Sequence, residues 1–202
     1  MREEKKQDKI IAIYSAIEEL TAEGADLSSM RVCDIAAKAG IGKGTTYEYF
    51  SSKEEMLVKA MVYLVGATVK RLLHAMEKQL SFKEAFLFML NEMEKKTKQR
   101  ACVVKYLSMT KDVNLCEVMQ DILLKDEEAK AANPINVMRY LLQRGQQEGV
   151  LSDGYSQSYA ISAIFSKFLG FMMFLDNELI EKDCSSEKMK LDLYEGICRE
   201  LG

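Results

Sequence analysis

The sequence predicts an all-α fold, and three observations carry that prediction. Its 202 residues include one proline and eleven glycines, so helix breakers are scarce, and its thirteen methionines and absent tryptophan favour a core of flexible side chains. Apolar residues recur at helical spacing along most of the chain. Helix-start signals punctuate it: Ser52-Lys53-Glu54-Glu55 and Ser81-Phe82-Lys83-Glu84 each place a glutamate three residues after a serine, the capping-box pattern. With 48% apolar residues, a chain of this length fills a substantial core in one or two compact units.

The elements follow in order. Ile10, Ile13, Ile17 and Leu20 form a stripe that predicts a first helix over 6–23, behind a polar leader expected to fray. Val32, Ile35, Ala36 and Ala39 predict a short second helix, which Gly40 can close in the left-handed conformation while Ile41 plugs the turn. Arg31 cannot accept from the exposed N–H groups of that helix, so Ser29 is the expected cap. The third helix begins near Lys43 and is poor in apolar side chains. Lys43, Gly44, Thr45, Tyr47 and Tyr49 supply a cation, a point of close backbone approach and three hydroxyls, the chemistry that grips phosphates and reaches base edges. Two short helices joined by a glycine turn make a helix-turn-helix, so DNA binding is the first functional expectation. Glu48 adds a negative charge to the reading helix, which either faces away from DNA or rejects some sequences.

A fourth helix starts at the Ser52 capping box, and Leu57, Met61, Leu64, Thr68 and Leu72 give it a periodic face to about residue 79. At about 1.5 Å per residue it is long enough to act as a lever between the reading head and the rest of the chain. The fifth helix starts at Ser81 and carries Phe86, Met89, Leu90 and Met93. Residues 101–132 predict one or two helices with a loop near Asp112 to Asn114. Asn133-Pro134 restarts the helix, Gly149 ends it, and Ser152-Asp153-Gly154 supplies a turn. The run 156–179 is apolar on too many sides for one surface, so it is expected to bury against its own domain and a second partner. The last helix, 186–201, offers Met189, Leu193, Ile197 and Leu201 as a stripe.

Composition narrows the function. The net charge is −3, and residues 1–53 carry eight Lys/Arg against nine Asp/Glu, so DNA affinity must come from placing positive charge on one face. Neither a leader with a cleavage site nor an 18-residue apolar stretch without charges is seen, so a cytoplasmic protein with no membrane partner is expected. Cys33, Cys102, Cys116, Cys184 and Cys198 form no disulfide framework and no Cys-x-x-Cys pair, and read as buried thiols. His74 is the only histidine; with no metal-spaced cluster, phosphate loop or paired carboxylates, no enzyme, metal or cofactor is expected.

The stretch Ile35-Ala36-Ala37-Lys38-Ala39-Gly40-Ile41-Gly42-Lys43-Gly44-Thr45-Thr46-Tyr47-Glu48-Tyr49-Phe50-Ser51-Ser52-Lys53-Glu54-Glu55-Met56 resembles the signature of the TetR family of bacterial transcriptional regulators. That signature runs Ile-Ala-x-x-Ala-Gly, then Val/Ile-Ser-Lys-Gly-Thr-Leu-Tyr-x-His/Tyr-Phe, then a Lys-Glu-Glu-Leu-like helix start. Three departures stand out: Thr46 where Leu or Phe is usual, Arg31 where a capping Thr is common, and the acidic Glu48. The resemblance implies a helix-turn-helix domain, here 1–52, followed by a helical ligand-binding and dimerisation domain, here 53–202. It also implies a homodimer that reads a palindromic operator.

Candidate DNA contacts are Arg31, Lys43, Gly44, Thr45, Tyr47, Tyr49 and Lys53. Met89, Met93, Cys102, Tyr106, Met109, Met119, Met138 and Phe165 are flexible or aromatic residues suited to lining an apolar effector pocket. Phe168, Gly170, Phe171, Phe174, Leu175, Leu193, Ile197 and Leu201 are the expected dimer interface, two helices per subunit in a four-helix bundle. A small apolar or amphipathic effector that favours the arrangement unable to bind DNA would release the operator. The alternative is a redox-sensing regulator using Cys102, which lies near Arg100 and Lys105 in sequence.

Overall fold

The computed structural model describes residues 2–77, 80–95, 105–107, 109–176 and 183–202. Regular structure among them is helical: α1 (Arg2–Ala22), α2 (Val32–Lys38), α3 (Lys43–Thr46), α4 (Lys53–Met76), α5 (Phe82–Lys95), a 3-10 turn (Met109–Lys111), α6 (Val113–Lys125), α7 (Glu127–Ala131), α8 (Ile135–Gln147), α9 (Gln157–Asp176) and α10 (Ser186–Leu201). Two compact units emerge. One comprises residues 1–68 with 97–133, the other 69–96 with 134–202. The continuous helix α4 contributes to both, whereas the division at 52/53 expected from the resemblance follows the reading head alone.

In the first unit α1 packs on α2 and α2 on α3. Ile13, Ile17, Ile35, Phe50, Leu57 and Met61 are buried, and Tyr14 lies 6.1 Å from Phe50 and 5.0 Å from Tyr63 between ring centroids. Burying each such aliphatic or aromatic side chain stabilises the unit by about 1.5–3 kcal/mol. Contrary to expectation, α1 is helical from Arg2 and takes in the polar leader. The loop expected near Asp112 to Asn114 shrinks to Asp112, whose carboxylate accepts from Asn114 and Leu115 N–H and so caps α6, and Asp126 caps α7 in the same way.

The buried face of α4 also differs from the expected one. Leu57, Met61 and Leu72 are buried, but Leu64 and Thr68 are only half-buried, and Val65, Val69 and Met76 take the inward positions. The expected stripe takes its three-residue step at 61–64 and the observed face takes it at 69–72; a helix of 3.6 residues per turn admits either.

The second unit is a mutual packing of α5, α8, α9 and α10. Its aromatic centre joins Phe86 to Phe168 at 4.8 Å and Phe82 to Tyr194 at 5.8 Å. Glu84 accepts from Ser81 N–H at 2.8 Å while Ser81 Oγ accepts from Glu84 N–H at 3.3 Å, closing the expected capping box. Gly149, at φ +69°, ends α8 as foreseen, with Val150 N–H returning to Gly145 O at 2.9 Å. By length and composition α9 could cross a membrane. Here it is a core helix, burying Ala160, Ile164, Phe168 and Phe171.

One core feature escaped the apolar stripes. Lys190 is only 2% exposed, and its ammonium donates to Asn91 at 2.7 Å, Glu94 at 2.6 Å and Glu187 at 2.6 Å, fastening α10 to α5.

Candidate nucleic-acid interface

The reading head is assembled by a tight turn. Gly40 takes φ +69°, its N–H donates to Ala37 O at 3.2 Å and Ile41 N–H to Ala36 O at 3.0 Å. This is the paired hydrogen bonding of a Schellman motif, and it aims the chain from α2 into α3. Lys38 locks the pair onto α1 through Glu23 at 2.6 Å and Glu19 at 3.5 Å. Ser29 does not cap α2: its hydroxyl donates to Asp26 O. Arg31 occupies the cap position without a capping bond and instead grips Asp34 with Nε and a terminal nitrogen at 2.8 and 3.0 Å. That pairing raises the Arg31 pKa and lowers that of Asp34.

α3 is one turn long, and the chain then bends through Tyr47 to Tyr49. Lys43, Gly44, Tyr47 and Glu48 are exposed, Thr45 and Tyr49 half-buried, and Phe50 buried. Tyr47 is 50% exposed, whereas Tyr49 is half-buried. Thr46 is buried, and its hydroxyl donates to Lys43 O at 2.6 Å, which lets a polar residue sit where a larger apolar one is usual.

Lys53 opens α4 and its Nζ donates to Ser28 O at 2.7 Å. Behind it, Ser52 Oγ accepts from Glu55 N–H at 3.0 Å, while the Glu55 carboxylate reaches one residue further back than the standard box, to Ser51 N–H at 2.7 Å. Burial opposes ionisation of Glu55, but hydrogen bonds from Lys59 and Ser51 outweigh it and hold its pKa at about 2. Burial, with Glu55 and Tyr63 nearby, pushes Tyr14 up to about 12. Lys43, Gly44, Thr45, Tyr47 and Lys53 therefore share one local structure, with Arg31 engaged by Asp34 at the start of α2.

A model of the bacterial regulatory proteins of the tetR family matches residues 13–60, from the middle of α1 through the helix-turn-helix into α4. The chain carries the DNA-binding domain of the TetR family over residues 13–60. It is a DNA-binding transcriptional regulator. The fatty acid metabolism regulator protein of Bacillus subtilis (strain 168) is 26% identical over 167 residues, covering 79% of each chain. The TetR-family fold extends over nearly the whole chain. The transcriptional regulator FadR from Bacillus subtilis in complex with stearoyl-CoA superposes with a TM-score of 0.65 at 18% identity, covering 95% of this chain and 99% of that one. The fatty acid degradation regulator FadR from Bacillus halodurans gives 0.68 at 19% identity and 94% of each.

The other expected sites are distributed differently. Of the pocket candidates, Tyr106, Met109 and Met119 are buried in the first unit. Met89 and Met138 are buried and Met93 and Phe165 half-buried in the second, while Cys102 lies outside the described residues. Burial raises the pKa of Tyr106, whose hydroxyl has no hydrogen-bond partner among the described residues.

Of the interface candidates, Phe168, Phe171, Phe174, Ile197 and Leu201 are buried within the single chain, because they meet α5 and one another, and Gly170, Leu175 and Leu193 are half-buried. A Cβ at Gly170 would meet nothing within 4 Å, whereas one added at Gly145 would lie 2.6 Å from Leu151 and one at Gly66 would lie 2.5 Å from Ala132. The outward face of α9 is instead Tyr159, Ser162, Ser166, Leu169 and Met173. Their steps of three and four residues were available in the sequence, where the bulkier phenylalanines masked them.

Proposed function

We propose that the chain is a cytoplasmic homodimeric repressor that holds a palindromic operator and leaves it when an amphipathic small molecule binds the C-terminal region. The observation that carries the reading is the exposed Lys43 and Gly44 on α3 with Tyr47 just after it, within the segment that matches the family model. Lys43 suits a base edge or phosphate, Gly44 close backbone approach, and Tyr47 a phosphate oxygen.

Dimerisation is supported by the outward α9 face, where Leu169 and Met173 are exposed at 39% and 52% between small Ser162, Ser166 and Gly170. Small residues permit close helix approach, and exposed Leu and Met reward it. A two-fold dimer sets two reading heads against two half-sites.

The effector reading draws on α4, which runs without a break from the reading head into the second unit, and on the methionine-rich cores of both units. The relatives concerned with fatty acid metabolism and degradation, one of them solved with stearoyl-CoA, make a long-chain acyl thioester the first effector to try.

Binding to duplexes from the protein's own upstream region, titrated with stearoyl-CoA, tests the whole reading. The thioester should lower operator affinity, and DNA should lower thioester affinity by the same factor, with a coupling of about 1–3 kcal/mol. Failure to bind any duplex overturns the regulator reading. Thioester binding that is equally tight with and without DNA overturns the release mechanism.

A further inference from the structure

We propose that Glu48 is a specificity-determining residue of the reading head, its carboxylate accepting from the N4 amino group of cytosine in the major groove. The inference deepens the DNA-binding reading and rests on it. Tyr47, the residue after α3, keeps helical dihedrals (φ −76°, ψ −7°), and Glu48 N–H still donates to Thr45 O at 3.3 Å. The helical path therefore continues far enough that residues 43, 44, 47 and 48 lie on one face. All four are exposed.

The neighbouring charges are already used inside the chain. Asp34 holds Arg31, Glu19 and Glu23 hold Lys38, and Glu55 holds Lys59 and Ser51. The side chains of Lys43 and Glu48 have no hydrogen bond or ion pair among the described residues. Nor does Glu48 gain from its position, since negative charge is disfavoured at the C-terminal end of a helix. It performs no structural task that would account for an acid there.

On a face that meets a polyanion, a carboxylate directed at phosphate is repelled. Amino donors on two bases invert that sign. Cytosine presents its N4 amino group alone in the major groove, whereas the N6 amino group of adenine stands beside the N7 acceptor, and guanine and thymine present acceptors that would repel a carboxylate. Lys43, on the same face, offers the opposite chemistry, a donor for guanine O6 and N7. The acid thus discriminates by attraction to one base and repulsion from others, at the cost of some general affinity.

Selection of full-length wild type, Glu48→Ala and Glu48→Gln on a randomised duplex library tests the assignment, with thermal melts confirming that changes at this exposed site leave the fold intact. The wild type should enrich one cytosine per half-site, and Glu48→Ala should lower that preference roughly tenfold while still binding DNA. Glu48→Gln should move the preference toward adenine, which matches a glutamine amide. An alanine variant that enriches the wild-type motif, whether at equal or uniformly raised affinity, overturns the proposal and leaves Glu48 a mere repulsive charge. A wild type that enriches no motif defeats the DNA-reading function itself.

Discussion

Lys53 Nζ donates to the carbonyl oxygen of Ser28 at 2.7 Å, tying the first residue of α4 to the turn that follows α1. A carbonyl is a neutral acceptor, so the lysine keeps its full charge while its position is fixed at a helix N-terminus that itself favours anions. Lys53→Ala should therefore show two separable losses: about 1 kcal/mol of stability from the missing hydrogen bond, and a DNA-binding salt slope lower by about one unit. Melting and binding at several salt concentrations measure them independently. A destabilised variant with an undiminished salt slope would confine Lys53 to bracing.

Glu55 makes the reading head acid-sensitive. Its folded pKa of about 2 lies below the ordinary carboxylate value of 4.5, so its contribution to stability is complete above about pH 4.5 and is lost as pH falls toward 2. Glu55→Gln should flatten the fall in melting temperature across that window and lower stability at neutral pH. Parallel pH melts of the two proteins give the comparison; coincident acid limbs would show that other carboxylates dominate.

The legible parts of this fold were those fixed by local chemistry. Gly40 and Gly149 close their helices because a left-handed residue is needed there, and the Ser81–Glu84 box forms because both partners lie within one turn. Tertiary choices were less visible. Phe171 and Met173 are both apolar, and only the packing of α5 and α10 decides that the first is core and the second surface. Periodicity likewise reads Lys190 as a polar position, yet Asn91 and Glu94, nearly a hundred residues away, make burial of its ammonium tolerable. The residues proposed to face DNA lie close together in the sequence, but the pairing of Arg31 with Asp34 is a side-chain choice that no spacing pattern signals.

Lys190 leads to an asymmetric prediction. Burial opposes its charge, but Glu187 and Glu94 outweigh that and raise its pKa, so its contribution is complete below about pH 10.5 and is lost as pH rises through the folded value. The carboxylates are more accessible than the lysine, with side chains 36% and 79% exposed for Glu94 and Glu187. Lys190→Met leaves them in contact with water and should cost only about 1 kcal/mol. The double change Glu94→Ala with Glu187→Ala strands a buried ammonium and should cost about 3–5 kcal/mol. Denaturant unfolding of both variants decides; equal losses would mean that the lysine is hydrated in solution.

The two faces of α9 should respond in opposite ways to the same substitution. Phe171 is fully buried against its own unit, so Phe171→Glu places a carboxylate in the core and should prevent stable folding. Leu169 and Met173 point outward, and a glutamate at either remains hydrated in a single chain but opposes its own copy across a two-fold axis. Leu169→Glu and Met173→Glu should therefore give folded monomers whose affinity for a palindrome falls toward that of one half-site. Sedimentation equilibrium at micromolar concentration, paired with far-UV circular dichroism, separates dissociation from unfolding. A dimeric Met173→Glu and Leu169→Glu double variant would place the subunit contact elsewhere, and the charged outer side of α10, Lys188, Asp192, Glu195 and Arg199, would be the next surface to alter.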